Sequence, residues 1–239
     1  MEERDEEPGE GAGAGGGGGA EDMEDSHEIQ TVPLDGARLH PLVDLPLAEM
    51  APPPGLFLHP STLHGQVHVA RVMIHATLLA ARLGMDHQRK RLWAAVYLHD
   101  IARRHDGVCY EHGARAIERW PELEAVQALF SRVGISVSDM EHVVTAVTHH
   151  CKPRELDRAH RHWELTSLLK DADGLDRVRL GDLDVNYLRH EPSKDQAPFA
   201  RELFFRTADR TEGPELFGEI WREATVILGP STQPPAFSG

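Results

Sequence analysis

The residues of this chain whose types could do chemistry together are His68, the His99-Asp100 pair, His112, the His149-His150 pair and Asp171. Imidazole nitrogens and carboxylate oxygens are natural ligands of divalent first-row metal ions, and the chain carries 16 His in 239 residues. What sets these residues apart is their apolar company. His99-Asp100 ends the seven-residue apolar run Leu92 to Leu98, His68 shares a helical face with Val72, and His150 continues the stripe of Val143 and Val147. Asp171 falls between Leu168 and Leu175. Burying such groups unpaired would cost several kcal/mol each, and a shared metal ion removes that cost. A second pair, His105-Asp106, shows that the dipeptide alone decides nothing.

Helices must position these groups. Apolar spacing predicts a helix over about 66–83 that stops at Gly84, a buried one over about 87–102, and short ones near 110–119 and 121–131. Further helices follow: one after a Ser138 cap through His150, one over about 163–180, and more within 198–227. Strand patterns are nearly absent, so the expected fold class is all-α. Residues 1–30 are Gly-rich and hold eleven acids against Arg4, ten of the fourteen net negative charges of the chain. This segment is expected to be a disordered tail. The Pro-rich stretch 31–60 reads as an irregular lead-in, 61–190 as the chemical domain, and 191–239 as a helical extension. Its apolar residues Phe199, Leu203, Phe204, Phe205, Leu216, Phe217 and Trp221 either complete the core or bury a homo-oligomer surface.

With the tail set aside the chain is only mildly acidic, which argues against nucleic acid as a partner. No apolar stretch approaches the roughly 18 residues of a membrane span. Two cysteines, Cys109 and Cys151, and the lack of a signal-peptide pattern point to the cytoplasm. Cys151 is read as packing, and His40, His59, His87, His160, His162 and His190 as surface residues.

The segments "HGQVHVARV", "LHDIARRHDGVCYEHGARA", "HH" and "DADGLDRVRLG" resemble, in order and spacing, the HD superfamily of metal-dependent phosphohydrolases. The likeness covers about residues 61–190 and implies an HD-type helical bundle. It implies that His68, His99, Asp100 and Asp171 ligate a first metal. His112 and His150, with His149 as substitute or addition to His150, would serve a second, with Asp100 bridging. Asp173 and Asp176 flank the ligand aspartate and are read as surface carboxylates, Asp176 being a candidate to orient a ligand histidine. Gly174 departs from the resemblance, standing where relatives carry a large residue.

The chemistry expected from the likeness is hydrolysis of a small phosphorylated substrate, a nucleotide or dinucleotide, with one or two ions of Mn, Fe, Co, Ni or Zn activating water. Asp100, Arg103 and Lys152 are the candidate catalytic residues. Arg103, Lys152, Arg154 and Arg177 are the candidate phosphate contacts. Two other readings share the same ligands: a diiron oxygenase, and a non-catalytic binding or regulatory domain.

Overall fold

Nine α-helices and short 3₁₀ turns make up the regular structure of the computed structural model, which describes residues 39–229, and no strand occurs among the described residues. The chain is all-α. The expected disorder of residues 1–30 lies outside the described residues.

Helix α1 (Gln66–Arg82) is buried along nearly its whole length and ends where Gly84 takes a left-handed φ of 66°, with Met85 N–H donating back to Ala80 O at 2.8 Å. That Gly-dependent closure satisfies carbonyls the helix end would otherwise leave unpaired. Helix α2 (Arg89–Leu98) stops before His99, so His99 and Asp100 occupy the turn after it and not the last turn of a helix running to about 102. Helices α3 (His112–Arg119) and α4 (Glu124–Val133) follow.

Helix α5 (Val137–His150) is capped by Ser136 and not by Ser138. Asp139 N–H donates to Ser136 Oγ at 3.1 Å and Ser136 N–H donates to Asp139 Oδ2 at 2.9 Å, a reciprocal box that fixes the start two residues before the sequence pattern suggests. Helix α6 (Trp163–Leu175) is shorter than expected and tightens into a 3₁₀ turn over Asp176–Leu180, closed by Gly181 at φ 73°. Helices α7 (Glu191–Asp195), α8 (Ala197–Thr207) and α9 (Leu216–Leu228) complete the order.

Helices α1, α2, α5 and α6 pack on one another, α3 lies on α5, and α8 and α9 lie on α1. The apolar residues of the C-terminal segment largely complete this core: Phe199, Leu203, Leu216, Phe217 and Ile220 are buried. Phe205 is the exception, 73% exposed. From residue 39 the Pro-rich lead-in holds only short 3₁₀ turns among the described residues and joins the core through Leu42, Val43, Met50 and Ala51. Trp93 locks it there: its indole donates to Met50 O at 3.0 Å while its ring packs on Tyr97 and Phe130. No helix among the described residues is long and apolar enough to cross a membrane.

Trp93→Ala removes both the indole packing and the anchor of the lead-in. It is expected to lower unfolding free energy by about 3–5 kcal/mol in urea titrations; a loss under about 1 kcal/mol would contradict this role.

Candidate metal centre

Five helices bring one end each to a common point. His68 sits in the first turn of α1, His112 opens α3, His150 ends α5, Asp173 lies in the last turn of α6, and His99-Asp100 follows α2 directly. Two glycines permit the approach. A Cβ on Gly65, just before α1, would stand 2.3 Å from Ser61 O, and one on Gly113 would stand 2.0 Å from Val147 O and 3.1 Å from His150 Nδ1. Only a glycine beside His112 lets α3 come this close to the end of α5.

The four imidazoles share one feature. His99 Nδ1–H donates to Val96 O at 2.7 Å, His112 Nδ1–H to Cys109 O at 2.8 Å, and His150 Nδ1–H to Val147 O at 2.6 Å. His68 Nδ1–H donates to the buried Asp176 Oδ2 at 2.7 Å. Carbonyl and carboxylate oxygens only accept, so each ring has its Nδ1 proton committed and Nε2 left for ligation.

Those Nε2 atoms converge on the two oxygens of Asp100. On one side, His68 Nε2 is 3.2 Å from His99 Nε2, 3.4 Å from Asp100 Oδ2 and 3.4 Å from Asp173 Oδ1, with His99 Nε2 3.9 Å from Asp100 Oδ2. On the other, His112 Nε2 is 2.8 Å from His150 Nε2 and 3.0 Å from Asp100 Oδ1, and His150 Nε2 is 3.8 Å from that oxygen. Ligands held about 2.1 Å from one ion stand about 3.0–3.4 Å apart from each other. The donor set fits: each cluster could hold a metal ion.

Charge follows the same logic. Burial works to raise the Asp100 carboxyl, but the surrounding histidines hold it well below the usual carboxylate range. Burial and Arg179 press the His68 imidazolium down, yet its hydrogen bonds to Asp100, Asp173 and Asp176 outweigh them and raise it to about 9. Burial drives neighbouring His99 down to about 3. The first cluster therefore retains a proton on His68 where a metal ion's positive charge would sit.

The geometry corrects the sequence assignment at α6. Asp171 is fully buried but does not reach the His68–His99 cluster. Its carboxylate accepts from the backbone N–H groups of Arg189 and His190, from Ser193 Oγ–H and from the Arg189 guanidinium, and so fixes the segment 189–193. Asp173 instead joins His68 and His99 in the group that could hold an ion, and Asp176 is no surface carboxylate: it is 1% exposed and orients His68. His150, not His149, faces the second cluster; the groups felt by His149 are Lys152, Lys170 and His160. Cys151, expected to be packing, places Sγ within 4.8 Å of the His112 and His150 ligand atoms, while its S–H donates to Tyr110 O at 3.3 Å. His162, expected at the surface, is buried against His142. No family model, curated protein or solved structure matches this chain.

A cleft of about 480 Å³ opens onto the clusters, lined by Asp100, His112, His150 and Asp173 together with Arg103, Arg177 and Arg179. Arg103 Nη1 lies 3.2 Å from His112 Nδ1 and 3.6 Å from Asp100 Oδ1, and its Nη2 donates to Gly107 O. Arg177 pairs with Asp182 at the rim. An adjoining compartment of about 470 Å³ is lined by Lys152 and by Gly174; a Cβ on Gly174 would press on Leu188 at 3.1 Å. Arg154 is exposed and lines neither space.

Sequence reasoning also passed over His64 as a cleft residue. It is 6% exposed, donates Nδ1–H to Asp106 Oδ1 at 3.1 Å, and lines the cleft beside Arg103. Asp106 is held in turn by Ser61 and His59.

Two substitutions separate the α6 aspartates. Asp173→Asn is expected to reduce bound metal by elemental analysis while leaving the metal-free melting temperature within a few degrees of wild type. Asp171→Ala is expected to destabilise the metal-free chain by about 3 kcal/mol, since it strands the buried groups of 189–193. The reverse pattern would restore Asp171 as the ligand.

Proposed function

We propose that this chain is a metal-dependent hydrolase of a small phosphate ester, of the HD type that its motifs resemble. The observation that carries the reading is the convergence of four Nε2 atoms, with every Nδ1–H already donated, on the two oxygens of one buried aspartate. His68, His99, Asp173 and Asp100 Oδ2 would hold one divalent ion, and His112, His150 and Asp100 Oδ1 a second. The chemistry supplied by such a pair is an ionised water at neutral pH and a polarised phosphoryl oxygen.

The chain's own residues supply the rest. Arg103, buried at the cleft wall, presents Nη1 beside the second cluster, where it neutralises phosphate charge and fixes its orientation. Arg177 and Arg179 extend that positive wall. Lys152 borders the adjoining compartment, where Gly174 leaves room for the leaving group of a nucleotide or dinucleotide. His64 is held by Asp106 with Nδ1–H donated, so its Nε2 is the atom that exchanges a proton with bound substrate. Two free cysteines fit a reducing compartment, the cytoplasm.

The test is hydrolysis of 4-nitrophenyl phosphate and of a nucleoside monophosphate panel by protein loaded with Mn²⁺, Co²⁺, Ni²⁺ or Zn²⁺. Asp100→Ala is expected to lose both metal and turnover. Arg103→Ala is expected to keep its metal and lose about 10²-fold in kcat/KM. Two irons per chain with oxygen consumption and no phosphate release would replace hydrolysis by the oxygenase reading, and absence of metal under every loading condition would leave only a binding domain.

A further inference from the structure

A second cavity, of about 610 Å³, shares Arg179 with the cleft over the metal clusters and holds none of their residues. Three guanidiniums line it, those of Arg71, Arg179 and Arg210, and Leu63, Val67 and Phe204 form its apolar part. We propose that this cavity is a second ligand site, for an organic anion with a flat apolar body, and that its occupancy is transmitted to the metal centre through Asp176.

The free guanidinium donors follow from counting partners. Asp176 is 1% exposed and serves Arg71 through Nε at 2.6 Å and Nη2 at 3.1 Å, Arg179 through Nη1 at 3.6 Å, and His68 through Nδ1 at 2.7 Å. One carboxylate thus answers two guanidiniums and an imidazole. Among the described residues, Arg71 Nη1 and Arg179 Nη2 have no hydrogen-bond partner. Arg210 is neutralised by Glu219 and Glu223, but its buried Nε has no partner either. The one acid on the cavity wall, Glu212, keeps its charge but turns Oε1 to Gln66 N–H, at 2.9 Å at the start of α1, and makes no ion pair with the three guanidiniums among the described residues. Two guanidinium donors thus open into the cavity, where a charged acceptor bonds them more strongly than water does. Arg71 lies over the Phe204 ring at 5.3 Å, so the surface beside those donors is flat and aromatic, which sets the shape of the rest of the ligand.

Transmission needs no large movement. Asp176 accepts from the two guanidiniums on one side and from His68 Nδ1–H on the other. An anion seated on Arg71 Nη1 and Arg179 Nη2 would offset the guanidinium charge that draws on Asp176. The Asp176–His68 hydrogen bond then strengthens, and a cation at His68 Nε2 is favoured. Linkage makes the effect reciprocal, so metal would raise anion affinity by the same factor. This second half of the proposal rests on the metal centre proposed above; the anion site itself does not.

Benzenesulfonate, a flat anion and a weak metal ligand, is the probe. Calorimetry on the full metal-free chain is expected to show one binding event. It should persist in Arg103→Ala, weaken in Arg179→Gln, and vanish in Ala208→Trp, which fills the cavity from an exposed position at the end of α8. Saturating benzenesulfonate is expected to tighten Zn²⁺ binding, measured against a competing chelator, by about fivefold or more in wild type and not in Ala208→Trp. No binding, or binding that survives Ala208→Trp, overturns the site; binding with unchanged Zn²⁺ affinity overturns the coupling. A chain that binds benzenesulfonate but never Zn²⁺ refutes the metal centre while upholding the anion site.

Discussion

Four histidine Nδ1 protons are already given away before any ligand arrives, three to backbone carbonyls and one to Asp176. Each bond fixes Nδ1 as a donor and aims Nε2 at Asp100. The lone pairs of His112 and His150 meet at 2.8 Å and repel unless positive charge lies between them; in the first cluster the proton kept on His68 meets that demand, 3.2 Å from His99 Nε2 and beside two carboxylates. The turn after α2, the glycine at the start of α3 and the tightened end of α6 all serve this convergence. Relaxing any one of them would let the rings rotate away and pair with water.

The carbonyl partners explain why the candidate ligands occur at helix ends. Val96 O and Val147 O are each three residues before the imidazole they orient, at the last turn of α2 and α5, where carbonyls lack an intrahelical donor. The same hydrogen bond satisfies a helix terminus and fixes a ligand. Asp176 uses the opposite arrangement, coming from another helix end to reach His68. It is therefore the one orienting group exposed to influence from a second side, where Arg71 and Arg179 contact it.

Periodicity was enough to place most of this. The stripe of Val143, Val147 and His150 and the apolar run ending in His99-Asp100 marked the right inward residues because α5 and α2 each bury a definite face. It failed at α6 for a physical reason. That helix is buried on nearly every side from Leu165 to Ala172, so the stripe Leu168–Asp171–Leu175 and the stripe Leu169–Asp173–Asp176 both point into protein. Asp171 is inward, but toward the segment 189–193, whose folding back is a long-range contact that no local pattern encodes. The cap was ambiguous in the sequence: Asp139 stands three residues after Ser136 and Glu141 three after Ser138, so both fit a capping box, and the structure uses the earlier one.

The claim on which everything else rests is that each of the four histidines holds a proton on Nδ1 and turns Nε2 to the centre. Long-range ¹H–¹⁵N correlation spectra of the full chain, recorded metal-free and after Zn²⁺ addition, would read it directly. The account predicts that His99, His112 and His150 are Nδ1–H tautomers before loading. It also predicts that the Nε2 resonances of these three and of His68 shift on Zn²⁺ binding, while those of His149 and His162 stay in place. Nε2–H tautomers at His99, His112 or His150, or Nε2 resonances that ignore Zn²⁺, would contradict it.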